Sequence, residues 1–405
     1  MKLCIIPFFS AISPEGVKNE VLDQFLSTRV NIIEPKDFKF ESATDRNYIF
    51  IGTGGTENDV AEFLTKCPLP PPVIILSYDL RNSLPAAMEI RAYLQHKGIE
   101  ASIIHSSLPE LIQMVSEWCD FSDILLQLRE SKLGIVGQPS SWLIASAIDS
   151  DKVKNRWGLT IEQLPLDNLI ESAKSTGDTD YANSFKESST SCAPSDDEIR
   201  KAGLVAQALI KLVNEHELNA VTVECFSLLM ETRVSGCFAL SMINDLRESI
   251  AGCEGDIPST FTMLLGKMLT GQLGFLSNVA HIDSKENTAV FAHCTLATSL
   301  AESYEITSHF ESGLSIGIRG TFKQQPVTVF KIFGEDLNEF WVSEGEILEN
   351  LTSETSCRTQ IRVKLDEDVD YFLERSLANH HIVFPGRHAE KIRRFFSFTR
   401  FPHTI

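Results

Sequence analysis

Residues 251–258 read Ala-Gly-Cys-Glu-Gly-Asp-Ile-Pro, and the rest of the chain is organised around the stretch that they open. The carboxylates Glu254 and Asp256 stand on either side of one glycine, which lets the backbone bend so that their oxygens converge on one point. Pro258 suits the start of a helix, and the spacing of apolar residues predicts a helix over 259–269. The two carboxylates are therefore expected just before a helix N-terminus.

The same stretch ends with Val-Phe-Ala-His-Cys-Thr-Leu at residues 290–296, in which His293 follows an apolar run. Carboxylate oxygens and a neutral imidazole are together typical of a site for a divalent metal such as Mn²⁺. The plainer alternative is that Glu254 and Asp256 form a solvated turn and that His293 is a core histidine. The residues of this stretch alone leave both interpretations open.

The composition excludes several classes of protein. A chain of 405 residues with 43% apolar and 22% charged residues is typical of a globular protein with two or three domains. The net charge of −19 disfavours binding to nucleic acid or to an anionic membrane. We find no apolar run of 18 residues, and the nine cysteines include no C-x-x-C pair, so we expect a cytoplasmic protein that is not embedded in a membrane.

Residues 1–130 alternate short apolar runs with amphipathic segments, which predicts an α/β domain with a parallel sheet. The candidate strands are 2–6, 30–34, 48–52, 73–77 and 101–105, and the candidate helices are 14–26, 56–65, 84–97 and 107–128. A second α/β domain is predicted over 131–299, with strands at 133–136 and 220–223. Within it, Ser195 and Glu198 form a capping box that opens a helix, and 184–197 is interpreted as a loop.

The character of the sequence changes near residue 300. Runs at 314–320, 326–333 and 359–365 are β-rich and no helical alternation interrupts them. We therefore predict a β-rich domain over 300–405. The predicted fold class is α/β, with two doubly wound, Rossmann-like parallel-sheet domains followed by this β-rich C-terminal domain.

Five short motifs occur along the chain in a fixed order. They are Glu224-Cys-Phe, Cys253-Glu-Gly-Asp256, His293-Cys-Thr, His309-Phe-Glu-Ser and Asn379-His-His381. As an ordered set they resemble the L-fucose isomerase and L-arabinose isomerase superfamily, in particular its shorter fucose-isomerase-like branch. The resemblance implies an Mn²⁺-dependent aldose–ketose isomerase with two α/β domains and a β-rich domain, assembled as a homotrimer or homohexamer.

The resemblance also implies metal ligands. The Glu-x-Asp motif of L-fucose isomerases supplies a catalytic, metal-binding aspartate that corresponds to Asp256, and their Ala-Asn-His motif supplies a histidine ligand that corresponds to His380. L-Arabinose isomerases use a glutamate and a downstream histidine that correspond to Glu254 and His293. The two subfamilies thus differ on whether Glu254 or Asp256 binds the metal.

A second catalytic carboxylate precedes the Glu-x-Asp motif in this superfamily. Glu224 matches it best, because it ends a predicted strand where ligands of open α/β sheets bind, and Glu231 is the alternative. The expected catalytic pair is therefore Glu224 and Asp256, with Glu224 as a further metal ligand. The expected cofactor is Mn²⁺, or another divalent ion such as Mg²⁺ or Co²⁺.

Four further residues are candidates for contact with the sugar. His309 and Glu311 would contact it unless they form an ion pair that closes a strand. His381 either lies next to the metal ligands or has a purely structural role. Trp142 could stack on a sugar in a neighbouring subunit, although a core indole is the plainer interpretation.

These predictions describe an isomerase that interconverts an aldose and a ketose of the fucose or arabinose type through an enediol. Such a reaction needs a base near two adjacent carbons and a cation that holds two oxygens, and both are available in this residue set. The alternatives are a sugar-binding protein without turnover and a metal-dependent sugar lyase or epimerase on the same fold.

Overall fold

The computed structural model describes residues 2–40, 45–175, 177 and 181–400. The chain divides into two compact units. One unit contains the residues up to Gln127 together with those from Arg394 onward, and the other is Leu128–Arg393.

The first unit is an α/β domain with a five-stranded parallel sheet in the order β2-β1-β3-β4-β5. Its elements are β1 (Leu3–Phe8), α1 (Glu15–Phe25), β2 (Asn31–Ile32), β3 (Arg46–Ile51), α2 (Glu57–Lys66), β4 (Val73–Tyr78), α3 (Ser83–His96), β5 (Ala101–Ser106) and α4 (Leu108–Glu130). The three central strands are buried along their whole length, as expected for a parallel sheet covered by helices on both faces.

The second unit begins with a four-stranded parallel sheet in the order β10-β9-β6-β7. The elements of this region are β6 (Lys132–Val136), α5 (Ser150–Trp157), β7 (Thr160–Leu164), α6 (Leu166–Ser175), α7 (Tyr181–Ser188), β8 (Ser191–Cys192), α8 (Asp196–Glu215), β9 (Ala220–Val223), α9 (Cys225–Thr232), α10 (Cys237–Leu246), β10 (Ile250–Gly252) and α11 (Ile257–Thr270). The parallel pairing brings the carboxyl ends of β6, β9 and β10 to one edge of the sheet.

The same unit contains a closed barrel in the strand order β11-β12-β17-β16-β15-β18, with antiparallel neighbours throughout. The remaining elements are β11 (Phe275–Asp283), β12 (Thr288–His293), a 3-10 turn (Thr298–Leu300), β13 (Ser303–Thr307), β14 (Gly317–Thr321), β15 (Pro326–Phe333), β16 (Glu339–Asn350), β17 (Thr359–Leu365), α12 (Tyr371–Glu374), β18 (His381–Pro385) and α13 (Ala389–Arg400). Strands β14, β13 and β8 form a small separate sheet.

The predicted fold class is confirmed, because two parallel sheets are followed by an antiparallel barrel. The capping box of Ser195 and Glu198 is also present at the start of α8. Two details differ from the sequence expectations. Helix α7 occupies part of 184–197, which the sequence predicts to be a loop. The helix forms there because Ala182 and Phe185 supply a buried face. The barrel begins at Phe275 rather than near residue 300. No helix in the described ranges is long and apolar enough to cross a membrane.

Candidate active site

Glu254 is held in an unusual backbone conformation at the end of β10. Its φ angle is +64° and that of Gly255 is +67°, so two consecutive residues are left-handed just beyond the strand. A side chain at position 255 would place its Cβ 2.6 Å from the Cα of Pro139. Only glycine therefore fits against the backbone of the segment that contains Pro139. The amide of Ser140 donates to the carbonyl of Glu254 at 2.9 Å, which fixes the turn.

Asp256 is the N-cap of α11 and is almost completely buried. Its Oδ1 accepts the amide of Ser259 at 2.9 Å, and its Oδ2 accepts the Ser259 hydroxyl at 2.7 Å and Nδ1–H of His380 at 2.8 Å. Lys331 Nζ lies 4.0 Å from Oδ2 and donates to Ser259 Oγ at 2.8 Å. Burial alone would raise the pKa of Asp256, but the Lys331 charge and the hydrogen bonds from His380 and Ser259 hold the pKa below its usual range. Asp256 is therefore a buried carboxylate ion.

His380 precedes β18 and is also buried. A carboxylate can only accept, so the bond to Asp256 places a proton on Nδ1, and a ring that holds this one proton carries its lone pair on Nε2. That buried Nε2 has no hydrogen-bond partner in the described part of the chain, and it lies 3.7 Å from Oε1 of Glu254. An unsatisfied buried nitrogen facing a carboxylate needs an explanation, and a bound cation supplies one.

His293 is the last residue of β12 and completes the group. One potential ligand atom from each of Glu254, His293 and His380 lies within 4.8 Å of the others. Burial and the nearby His380 and His309 lower the pKa of His293 to about 3, so this ring is neutral. The amide of Thr295 donates to Nδ1 of His293 at 3.1 Å, which places the ring proton on Nε2. Metal ligation by neutral His293 therefore breaks this hydrogen bond, either because Nδ1 binds the metal itself or because the proton moves to Nδ1 and frees Nε2.

These observations fit a divalent metal ion. The pairing of Asp256 with His380 is the arrangement that orients a metal-binding histidine, because the carboxylate fixes the tautomer and raises the basicity of the other nitrogen. Glu254 offers a hard oxygen opposite that nitrogen. The predicted alternative of a solvated turn is wrong for Glu254 and Asp256, since both are buried.

A cavity of about 390 Å³ borders this group, and Glu254 and His293 lie in its wall. Trp142 lines the same cavity, is 53% exposed, and donates its indole N–H to Oε2 of Glu254 at 2.8 Å. The core-indole interpretation of Trp142 is therefore wrong. Phe226 packs edge-on against Trp142, with ring centroids 4.7 Å apart, and against His309 at 5.7 Å. The volume suits a small ligand.

The predicted contact residues His309 and Glu311 both line the cavity. His309 shares a hydrogen bond of 3.1 Å with the hydroxyl of Ser312, and burial lowers the pKa of His309. Asn278 and Asn379 add two amide side chains to the wall. The cavity thus presents both donors and acceptors to a polar ligand.

Two predicted residues lie elsewhere. Glu224 lines a second cleft together with Glu231. Its carboxylate accepts a hydrogen bond of 2.7 Å from the backbone N–H of Gln138 and another from the hydroxyl of Ser227. His381 is fully buried at the start of β18, where its Nδ1–H donates to the Asn379 carbonyl at 2.9 Å. The structure therefore brings Glu254, His293 and His380 together, places Asp256 behind His380, and brings neither Glu224 nor His381 into the group.

Several residues of the site have no role that the sequence predicts, among them Lys331, Phe226, Asn278 and Asn379. Lys331 is fully buried within the apolar strand β15, and a lone lysine in an apolar run was the available signal. Phe226 belongs to the Glu224 motif, but nothing in the motif indicates that its ring faces the cavity.

Comparison with known proteins points to sugar chemistry. No family model matches the chain. The chain is 24% identical over 218 residues to the sulfoquinovose isomerase of Priestia aryabhattai, an alignment that covers 52% of this chain and 49% of that protein. It is 25% identical over 264 residues to the sulfoquinovose isomerase of Clostridium sp. (strain MSTE9), which covers 63% of this chain and 55% of that protein. The chain is similar to sugar isomerases.

The chain spans about half the length of the curated relatives it matches. The likeness supports the isomerase relationship that the motif set predicts. Membership of the L-fucose and L-arabinose isomerase superfamily, and of any branch of it, stays a prediction.

Proposed function

We propose that this chain is a metal-dependent isomerase that interconverts an aldose and a ketose. The observation that carries the proposal is the unpartnered, buried Nε2 of His380, which faces Glu254 beside a polar cavity. The similarity to sulfoquinovose isomerases supports the same class of reaction.

Glu254 and His380 are the proposed metal ligands, with His293 as the third residue of the group. Mn²⁺ is the expected ion, with Mg²⁺ and Co²⁺ as alternatives, because the set combines a hard carboxylate with imidazole. The ion would polarise the oxygens on carbons 1 and 2 and stabilise negative charge that develops on them.

The chain itself must move a proton between those two carbons. We assign this transfer to Glu254, because its carboxylate both borders the metal group and lines the cavity. The Trp142 indole N–H holds Oε2 of Glu254 in place. Glu311 is the other carboxylate of the wall and the alternative base. Asp256 acts through His380 rather than on the sugar, because it is almost completely buried, lies outside the lining of the cavity and accepts the Nδ1–H of His380.

The proposed substrate is an uncharged aldose of the fucose or arabinose type. The amides of Asn278 and Asn379 and the ring of His309 suit hydroxyl groups, and the carboxylate of Glu311 would repel a sulfonate. This choice differs from the substrate in the names of the relatives, so the test must include both kinds of sugar.

The test is product analysis by NMR. Chelated protein and Mn²⁺-reconstituted protein are each incubated with L-fucose, L-arabinose, related aldoses and sulfoquinovose. We expect a ketose from an uncharged aldose, with Mn²⁺ and not without it. A ketose from sulfoquinovose alone would refute the substrate assignment. Full activity of the chelated protein would refute metal dependence, and sugar binding without turnover would favour a binding protein.

A further inference from the structure

Two cysteines lie side by side in the wall of the cavity. Cys225 is the first residue of α9 and lies two residues past the end of β9, and Cys253 follows β10. Their sulfur atoms are 3.0 Å apart, and the Cys253 S–H donates to the Cys225 sulfur. Both are free thiols, both are buried, and both line the cavity, which gives a small reagent access to them.

We propose that Cys225 and Cys253 form a dithiol that hydrogen peroxide closes to a disulfide. The two cysteines follow adjacent parallel strands, which lie roughly 4.8 Å apart, and disulfides span Cα separations of about 4.4–6.8 Å. The sulfurs must approach by only about 1 Å to reach bonding distance. Cys225 lies two residues past the end of β9, and Cys253 lies one residue past the end of the adjacent strand β10.

The reaction balances with peroxide as the oxidant. The Cys225 sulfur attacks one peroxide oxygen, the O–O bond breaks, and the other oxygen takes up the proton of the Cys225 thiol and leaves as water. The Cys253 sulfur then attacks the sulfur of the resulting sulfenic acid, the S–O bond breaks, and the hydroxyl takes up the proton of the Cys253 thiol and leaves as a second water. Two thiols are oxidised and one peroxide is reduced to two waters. A dithiol reductant reverses the step.

Closure of this disulfide has a consequence for the candidate metal group, and this part rests on the proposed function. Cys253 directly precedes Glu254, whose left-handed backbone aims its carboxylate at His380. Drawing Cys253 towards Cys225 displaces that carboxylate. We therefore expect oxidised protein to bind Mn²⁺ at least tenfold more weakly than reduced protein.

Peptide mapping by mass spectrometry tests the disulfide without any measurement of activity. Reduced full-length protein is treated with peroxide, alkylated and digested. We expect a Cys225–Cys253 linked peptide that is two hydrogen masses lighter than the separate peptides and that disappears on reduction. The linkage should persist in Cys119→Ser, a buried cysteine of the other unit, and be lost in Cys225→Ser.

Absence of the linked peptide from oxidised wild-type protein would overturn the proposal. Cys294 and Cys357 line the same cavity and share a hydrogen bond, so a linkage found only between them would overturn it as well. Titration of Mn²⁺ into the oxidised and reduced forms then tests the consequence. A linked peptide with unchanged Mn²⁺ affinity would refute the effect on the metal group and leave the disulfide established.

Discussion

Replacement of Asp256 by asparagine tests how the buried carboxylate controls His380. Asp256 accepts three hydrogen bonds, one from the Ser259 amide, one from the Ser259 hydroxyl and one from Nδ1–H of His380. An asparagine amide has one oxygen and one NH₂ group. If the oxygen accepts the Ser259 amide, the NH₂ group faces Nδ1 of His380 and favours the tautomer with the proton on Nε2. Nε2 of His380, which faces Glu254, then carries a proton and has no lone pair for a metal ion.

The expected size of the effect follows from this tautomer change. Loss of the partner that orients a metal-binding histidine costs roughly 10–100-fold in metal affinity, or about 1.4–2.7 kcal/mol. Calorimetric titration of Mn²⁺ into the metal-free Asp256→Asn protein measures it directly. A melting curve of the same sample establishes that the fold is retained.

Two further variants separate the loss of the hydrogen bond to His380 from a general change of charge. Glu231→Gln removes a carboxylate from the second cleft, so its Mn²⁺ affinity should match that of the wild type. Lys331→Met removes the buried ammonium 4.0 Å from Asp256 but leaves the hydrogen bond to His380, so its affinity should fall less than that of Asp256→Asn. A folded Asp256→Asn protein with Mn²⁺ affinity within twofold of the wild type would refute the reasoning.

Three other predictions concern the placement of Glu224, the buried histidines and the assembly. Glu224→Gln should change the Mn²⁺ affinity less than tenfold, because Glu224 lines a separate cleft; a larger loss by calorimetry would show that the residue reaches the metal. Burial lowers the pKa of His381 to about 3, below the ordinary 6.5, so the unfolded chain gains a proton first as the pH falls. Through His381 the metal-free protein should therefore lose about 2 kcal/mol of stability between pH 8 and pH 5. His293 contributes to the total loss in the same way, so the total loss measured by urea denaturation should be about 2 kcal/mol smaller in His381→Phe than in the wild type; equal losses in both proteins would contradict it. Sedimentation at micromolar concentration should find a trimer or hexamer, and a fully active monomer would contradict that expectation.

The sequence predicted the parallel sheets well because their strands are buried on both faces and read as continuous apolar runs. Strand β9 matches its predicted range of 220–223, and α8 begins at its capping box. The long strand β16 had no comparable signal, since only one of its faces is buried and charged residues interrupt it. Its pairing with β15 and β17 is a tertiary property.

The site also depends on contacts between residues that are far apart in the sequence. Local sequence identified Glu254 and Asp256, but their roles depend on contacts across the chain, such as the bond between Asp256 and His380, which are 124 positions apart. Glu224 follows a strand at the edge of the sheet where the candidate site lies. Its carboxylate instead bonds to the backbone N–H of Gln138, a contact that the local sequence does not reveal. Glu254 has a left-handed backbone, and its carbonyl accepts the amide of Ser140, a contact that the local sequence does not reveal.

Deuterium exchange at carbon 2 of an uncharged aldose tests the central claim most directly. The sugar is incubated in D₂O with Mn²⁺-loaded wild-type protein and with Glu254→Gln, and the carbon-2 proton signal is followed by NMR. We predict that the wild-type protein removes this signal as the ketose appears, and that Glu254→Gln exchanges it at least 10³-fold more slowly, about 4 kcal/mol of transition-state stabilisation. Equal exchange rates in the two folded proteins, or no exchange of any aldose by the Mn²⁺-loaded wild type, would contradict the account.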